Sequence, residues 1–210
     1  STGLPIGLVI TDGVLRSSDA GYYAIGFRAD GTAVLGKPGV KVSVDLGYAV
    51  DDGSGSPVEL IRPVIAVNKA RTNSGVFLYT YDFNARHTTG TTEAGVNVVC
   101  TVEQGQLAIG STVTARVERV EETTVTSIQP DQIVLSANAN ADAYYTNALR
   151  NMSAGSEVTL TVSANAGWDD VEYAVGALYC LAENGAVASG LAAGVNPRTA
   201  VGQKADGTLV

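Results

Sequence analysis

Residues 24–34 read AIGFRADGTAV, and residues 200–210 read AVGQKADGTLV. Seven of the eleven aligned positions are identical, and Ile25/Val201 and Arg28/Lys204 differ conservatively. In each copy a short apolar run meets Asp-Gly and then resumes. Asp-Gly between two such runs is a hairpin signal, and the turn it predicts is type I′, in which both central residues take positive φ. IGLVITDGVL (6–15) follows the same logic around Asp12-Gly13. A chain punctuated in this way builds sheets.

The rest of the chain extends that reading. VKVSVDL (40–46) alternates with period two, so one face is apolar. IRPVIAVN (61–68), GVFLYTYD (75–82), VNVVCTVE (96–103) and EVTLTVSA (157–164) read as further strands. DDGSGSP (51–57) and HTTGTTEAG (87–95) read as loops. Residues 104–136 combine STVTARVERV and TSIQPDQIVLSA, whose threonines favour strands, into a small β unit. The best helix is ADAYYTNALRNM (141–152): Asp142 can cap it, Tyr145, Leu149 and Met152 share a face, and Gly155 is a stop. In DDVEYAVGALYCLA the expectation is a short helix at 169–174, a strand at 177–182 and a turn at Glu183-Asn184-Gly185.

The fold expected is therefore a strand-dominated α+β architecture. It has a mixed or antiparallel sheet of hairpins, one or two helices and a small inserted β unit. Residues 1–103 form the first part of the sheet domain, 104–165 an inserted β-rich subdomain with one helix, and 166–210 a return to the sheet. The second echo stops three residues into its return strand, which would leave a partner strand unpaired. The expectation is a chain cut from a longer one.

Composition narrows the function. Only 16% of residues are charged, against about 25% in typical globular domains. The net charge is −8 and no Lys/Arg block is present, so nucleic acid is not an expected partner. No stretch approaches the ~18 apolar residues of a membrane span, so this segment is not expected to insert in a membrane. Cys100 and Cys180 each end an apolar run and read as two buried thiols, the alternative being a disulfide between them. With one histidine and no Cys/His spacing, no metal site is expected, and no cofactor is indicated.

Five stretches carry a more specific resemblance, in order along the chain. They are GLPIGLVITDGVLRSS, AIGFRADGTAVLGKP, AVNKARTNSGVFLYTYDF with its Thr-rich loop, VEYAVGALYCLAENGAV, and NPRTAVGQKADGTLV. Together they resemble the phosphodiester glycosidase family, whose animal member is the uncovering enzyme and whose bacterial members are often labelled exopolysaccharide biosynthesis proteins. The resemblance spans the chain, densely at both ends and thinly over 104–165. It departs at Gly176-Ala177, where the family usually has Gly-Gly. The family also carries an Asn-Gly-Asp-Phe-Phe-like segment before the PIGLVI stretch and an Asp-Gly-Gly-Gly-Ser-like segment after the DGTL stretch, and these 210 residues contain neither.

The resemblance implies a bacterial, extracellular or envelope hydrolase acting on a sugar-1-phosphodiester, this 210-residue piece itself being inactive. A phosphodiester anion favours a planar guanidinium with paired donors, which points to Arg198 in the NPRT stretch with Thr199 beside it. Asn68 ends an apolar strand, as a turn-former or a ligand contact. Thr88, Thr89, Thr91 and Thr92 surround Gly90, and their hydroxyls could hold sugar or phosphate oxygens. His87 is the single side chain here with an ordinary pKa near neutrality. Glycoside cleavage normally uses two carboxyl groups. Asp82, Glu93, Asp169 and Asp170 are available, but no spacing pairs them, so no catalytic residue is assigned. The alternative reading is a non-catalytic β-rich surface or glycan-binding module.

Overall fold

The structure is a computed structural model that describes residues 4–51, 56–191 and 199–210. The chain opens with two hairpins, β1 (Val9–Thr11) with β2 (Val14–Ser17), and β3 (Tyr23–Arg28) with β4 (Ala33–Gly36). Seven strands follow: β5 (Lys41–Asp51), β6 (Pro57–Val67), β7 (Val76–Thr80), β8 (Gly95–Gln104), β9 (Thr112–Thr123), β10 (Gln132–Asn138) and β11 (Glu157–Ser163). A 3-10 turn, Tyr81–Phe83, follows β7, and the helix α1 (Ala143–Arg150) precedes β11. β12 (Val171–Ala177) and a small hairpin, β13 (Ala182–Glu183) with β14 (Ala186–Val187), complete the described strands.

These strands form two main sheets. One has five strands in the order β2-β1-β12-β3-β4, all antiparallel. The other is a closed barrel in the order β10-β7-β6-β5-β11-β9-β8. Closure leaves the barrel no free edge. Its pairs are antiparallel except β6 with β7, which run parallel, so the fold is mixed as expected.

One apolar core serves both sheets. Val44, Leu78, Val98, Leu135, Val158 and Leu160 come from the barrel strands, Ile10, Leu15 and Ala24 from the five-stranded sheet, and Leu8 from the arm before it. α1 adds Ala148 and Leu149, held by the Tyr48 hydroxyl on the Ala148 carbonyl at 2.7 Å. Asp142 caps that helix by accepting from the Tyr144 N–H at 2.8 Å, as its sequence suggests. A second, smaller core (Phe77, Tyr79, Val99, Ile128, Val134) lies under Tyr81 and Phe83.

The stretch 104–165 has no core of its own. It supplies β9, β10 and β11, which close the barrel with β5–β8. The five-stranded sheet draws on residues 9–36 and 171–177, so the whole barrel, 41–163, lies between its strands in sequence.

The turns refine the hairpin expectation. Asp12-Gly13 has positive φ at both residues, +52° and +73°, as a type I′ turn requires. At Asp30-Gly31 and Asp206-Gly207 only the glycine is left-handed, at +81° and +87°. The aspartate side chain sets this longer loop: Asp30 accepts from the Thr32 N–H at 2.8 Å and Asp206 from the Thr208 N–H at 2.9 Å. The main-chain bonds repeat as well. Arg28 N–H reaches the Thr32 carbonyl and Gly31 N–H the Arg28 carbonyl; Lys204 N–H reaches the Thr208 carbonyl and Gly207 N–H the Lys204 carbonyl. The sequence echo thus specifies one loop, built twice.

The helix expected at 169–174 is replaced by strand. Residues 171–177 form β12, the centre of the five-stranded sheet, bonded to β1 on one side and β3 on the other. Two backbone ladders outweigh the weak helical pattern of Val171, Ala174 and Val175. Gly176 fits this place because Gly7 crosses it backbone to backbone: a Cβ on Gly176 would lie 2.5 Å from the Gly7 Cα.

Candidate functional site

The antiparallel pairing gathers several chain ends at one edge of the five-stranded sheet. β1 and β3 both run opposite to β12, so the starts of β1 and β3 lie beside the end of β12. The arm 4–8, the 18–22 turn and the exit of β12 meet there.

A recess of about 420 Å³ opens at this edge. Tyr23, Leu178, Tyr179, Cys180, Glu183 and residues 186–191 line it. Lys37 places its ammonium 5.1 Å from the Tyr23 ring centre, a cation–π distance. Desolvation holds the Tyr23 hydroxyl above its ordinary pKa, helped by Cys180 and Glu183. The Cys180 thiol is half-buried and faces the Ala182 carbonyl at 3.5 Å. Aromatic faces, hydroxyls, one carboxylate and leucine and valine walls make an amphipathic surface of the kind that receives sugar rings.

The barrel reaches this edge through the segment after β6. Ser18 and Val67 exchange two bonds, Ser18 N–H to the Val67 carbonyl at 3.2 Å and Val67 N–H to Ser18 Oγ at 3.0 Å. Asn68 follows with φ +52°, a conformation that asparagine tolerates better than most residues. Its amide donates to the Arg16 carbonyl and to Thr80 Oγ1, both at 2.8 Å, and accepts from the Thr80 N–H at 2.9 Å. Lys69 then donates to three consecutive carbonyls of the arm: Pro5 at 2.6 Å, Ile6 at 3.0 Å and Gly7 at 3.0 Å. Burial pulls its ammonium down to about 8, against the opposing charge of Asp19.

A second crevice, about 300 Å³, lies between β2 and the barrel mouth. Arg16 and Asp82 form an ion pair on its rim, and most of its lining is apolar. The two opposite charges neutralise each other there, which leaves little to draw an anion.

The residues singled out from the sequence are distributed as follows. Arg198 lies outside the described residues, and Thr199 is exposed. Asn68 is buried, with its amide committed to internal bonds. Its partner Thr80 leads to Tyr81, on which the His87 ring stacks at 3.6 Å between centres. His87 Nδ1 lies 2.9 Å from the Tyr81 carbonyl, so Asn68 and His87 belong to one end of the barrel. In the threonine loop, Thr91 donates its hydroxyl to the Thr124 carbonyl, Thr89 is buried against Thr126, and Thr92 is exposed. Of the carboxylates, Glu93 accepts from Asn138 at 2.5 Å and Asp170 from Arg28 at 2.7 Å. Among the described residues no His/Cys/Asp/Glu group could hold a metal ion.

Lys69, Asp19, Tyr23 and Tyr179 were not singled out in the sequence. Each stands in an ordinary local context and reaches this edge only through strand pairing. For Lys69 and Tyr179 the signal that existed was their membership in the quoted motif stretches; Asp19 and Tyr23 fall between two of those stretches.

The described phosphodiester glycosidase family model matches residues 111–210. The stretch 111–210 is thus similar to a phosphodiester glycosidase domain. The match includes β12 and the whole 178–191 wall of the recess. Two solved structures share the fold. One is a hypothetical protein from Synechocystis, at TM-score 0.59 and 14% identity, covering 88% of this chain and 31% of that one. The other is named "Putative exported protein", from Burkholderia pseudomallei K96243, at TM-score 0.64 and 15% identity, covering 98% of this chain and 48% of that one. The chain thus spans less than half the length of either. No curated protein matches it in sequence. Among the described residues no helix is long and apolar enough to cross a membrane.

Proposed function

We propose that this phosphodiester glycosidase-type domain takes part in hydrolysing a sugar-1-phosphodiester of an extracellular or cell-envelope glycan, with the recess at the β12 edge receiving the sugar. The observation that carries this reading is the family match over 111–210, which contains the recess wall and the NPRT stretch. Arg198 and Thr199 are the proposed contacts to the phosphodiester, since a guanidinium can grip two of its oxygens at once. Thr91, Thr92 and His87 are proposed as a second set of contacts, from the barrel side, with Asn68 behind them, its amide bonded to Thr80. The extracellular placement draws on the name of the Burkholderia protein.

The test is to incubate the full protein with an N-acetylglucosamine-1-phosphodiester and measure sugar release. Release is expected, with Arg198→Ala lowering kcat/KM by about a hundredfold or more. No release, or full activity in Arg198→Ala, refutes the reading.

A second reading, a non-catalytic glycan-binding module, rests on a specific observation. Among the described residues lining the recess, Glu183 is the sole carboxylate, whereas glycoside cleavage normally uses two. Saturable glycan binding without product over a long incubation would favour it.

A further inference from the structure

The arm 4–8 belongs to no strand, since β1 begins at Val9. Three of its carbonyls are nevertheless satisfied, and by one side chain. The Lys69 ammonium donates to Pro5, Ile6 and Gly7 in succession, the three bonds spanning 2.6–3.0 Å. An ammonium has three hydrogens, so its donor capacity is fully used. Asp19, only 4% exposed, is near enough for its negative charge to favour the ammonium.

The other side of the arm is also fixed. A Cβ on Gly7 would lie 2.8 Å from the Gly176 Cα, so the two backbones touch with nothing between them. Gly176 is followed directly by Ala177 and then by Leu178, Tyr179 and Cys180 of the recess wall. A continuous chain of contacts therefore runs from the barrel, through Lys69 and the arm, to the exit of β12. Lys69 itself follows Asn68, whose left-handed backbone and three amide bonds fix where the lysine stem departs.

We propose that Lys69 is a positioning residue for the recess: its ammonium presses the 5–7 arm onto Gly176 and so sets where the exit of β12 places Leu178–Cys180. An ammonium suits this role better than a guanidinium, because three carbonyls converge on a point and a planar fork spreads its donors. The consequence for catalysis rests on the proposed hydrolysis, because a misplacement of about 1 Å at a substrate wall can cost about a hundredfold in rate.

The experiment compares wild type, Lys69→Met and Lys69→Arg in the full protein, by hydrogen exchange and by kinetics on the sugar-1-phosphodiester. In Lys69→Met, exchange at residues 6–8 and at 176–181 is expected to rise together, by about tenfold or more, while the barrel strands keep wild-type protection. Lys69→Arg is expected to fall between the two. kcat/KM is expected to follow the exchange at 176–181, with the loss in kcat exceeding the change in KM. Exchange that rises in the arm but not at 176–181 overturns the proposal, as does a uniform rise across the barrel. If Lys69→Met does not fold, Lys69→Gln, which retains two donors, is judged by the same exchange criterion. If the wild type releases no sugar, the proposed hydrolysis fails, and the exchange data still decide the role of Lys69.

Discussion

Gly176→Ala tests the architecture most sharply, because strand packing here and a helix running through residue 176 would give opposite signs. In the structure an added methyl at 176 would lie 2.5 Å from the Gly7 Cα and 2.9 Å from both the Gly7 carbonyl carbon and the Leu8 nitrogen. Carbon atoms in contact rest about 3.5–4.0 Å apart, so β12 and the arm must separate by about 1 Å. Every atom in the way is backbone, and none can rotate aside. Leu8 is fully buried, and Gly7 is held by Lys69, so the arm cannot retreat cheaply. Overpacking of this kind costs about 1–3 kcal/mol, and the rigidity of the surroundings argues for the upper end. A domain of this size loses about 2–4 °C of Tm per kcal/mol, so a cost near 3 kcal/mol predicts a fall of roughly 6–12 °C.

The assay is thermal unfolding at fixed pH, by calorimetry or circular dichroism. Gly7→Ala should show a similar loss, since the contact is reciprocal. The double variant should lose less than the sum, since one separation relieves both clashes. Gly185→Ala is the control: nothing lies within 4 Å of its added methyl, and only its φ of +78° opposes the change. If 169–182 were helical, Ala at 176 would instead stabilise by about 1 kcal/mol. A Tm for Gly176→Ala at or above wild type would refute the packing of the arm on β12.

Other predictions concern the same edge and the barrel beneath it. Asn68→Ala removes bonds to Arg16 and Thr80 and places alanine at φ +52°, so a loss of about 2–3 kcal/mol is expected in urea unfolding. Lys69 should titrate by NMR with a midpoint near 8, and Asp19→Asn should lower that midpoint further, because the Asp19 charge favours the ammonium. The unfolded lysine keeps its proton above that midpoint, so folding stability should rise as pH climbs from about 8 towards the ordinary lysine value, and Lys69→Met should remove that rise. A thiol reagent should label Cys180 in the native protein and spare Cys100, which is fully buried with its thiol pushed up to about 12.

What was legible in the sequence shares one physical basis, which is that the decisive contacts are local. Asp-Gly pairs mark turns because glycine accepts positive φ and, at Asp30 and Asp206, the aspartate bonds its own neighbours. The helix within 141–152, α1, is legible because its cap and its apolar face recur within single turns. Alternation reveals strands at 40–46 and 157–164 because each has one face in the core, whereas residues 95–100 are buried on both faces. The motif stretches likewise point to a phosphodiester glycosidase-type domain, and the residues of the NPRT stretch keep their proposed role.

What the sequence could not show depends on partners far along the chain. Val171–Ala177 carries a pattern that suits helix or strand, and it is a strand because β1 and β3, some 150 residues earlier, bond both its edges. Nothing in IRPVIAVN or GVFLYTYD announces that they lie parallel, nor that 112–163 completes a barrel begun at 41. Lys69 looks like any turn lysine until the arm, 62 to 64 residues before it, brings three carbonyls to its ammonium. The sequence by itself determined the turns and most of the strands, and it carried the resemblance to a glycosidase family, because local bonds and motif order suffice for those. The tertiary structure alone decided which strand lies at the centre, how the barrel closes and which side chains meet at the β12 edge, because each depends on free energy released only when distant segments pack.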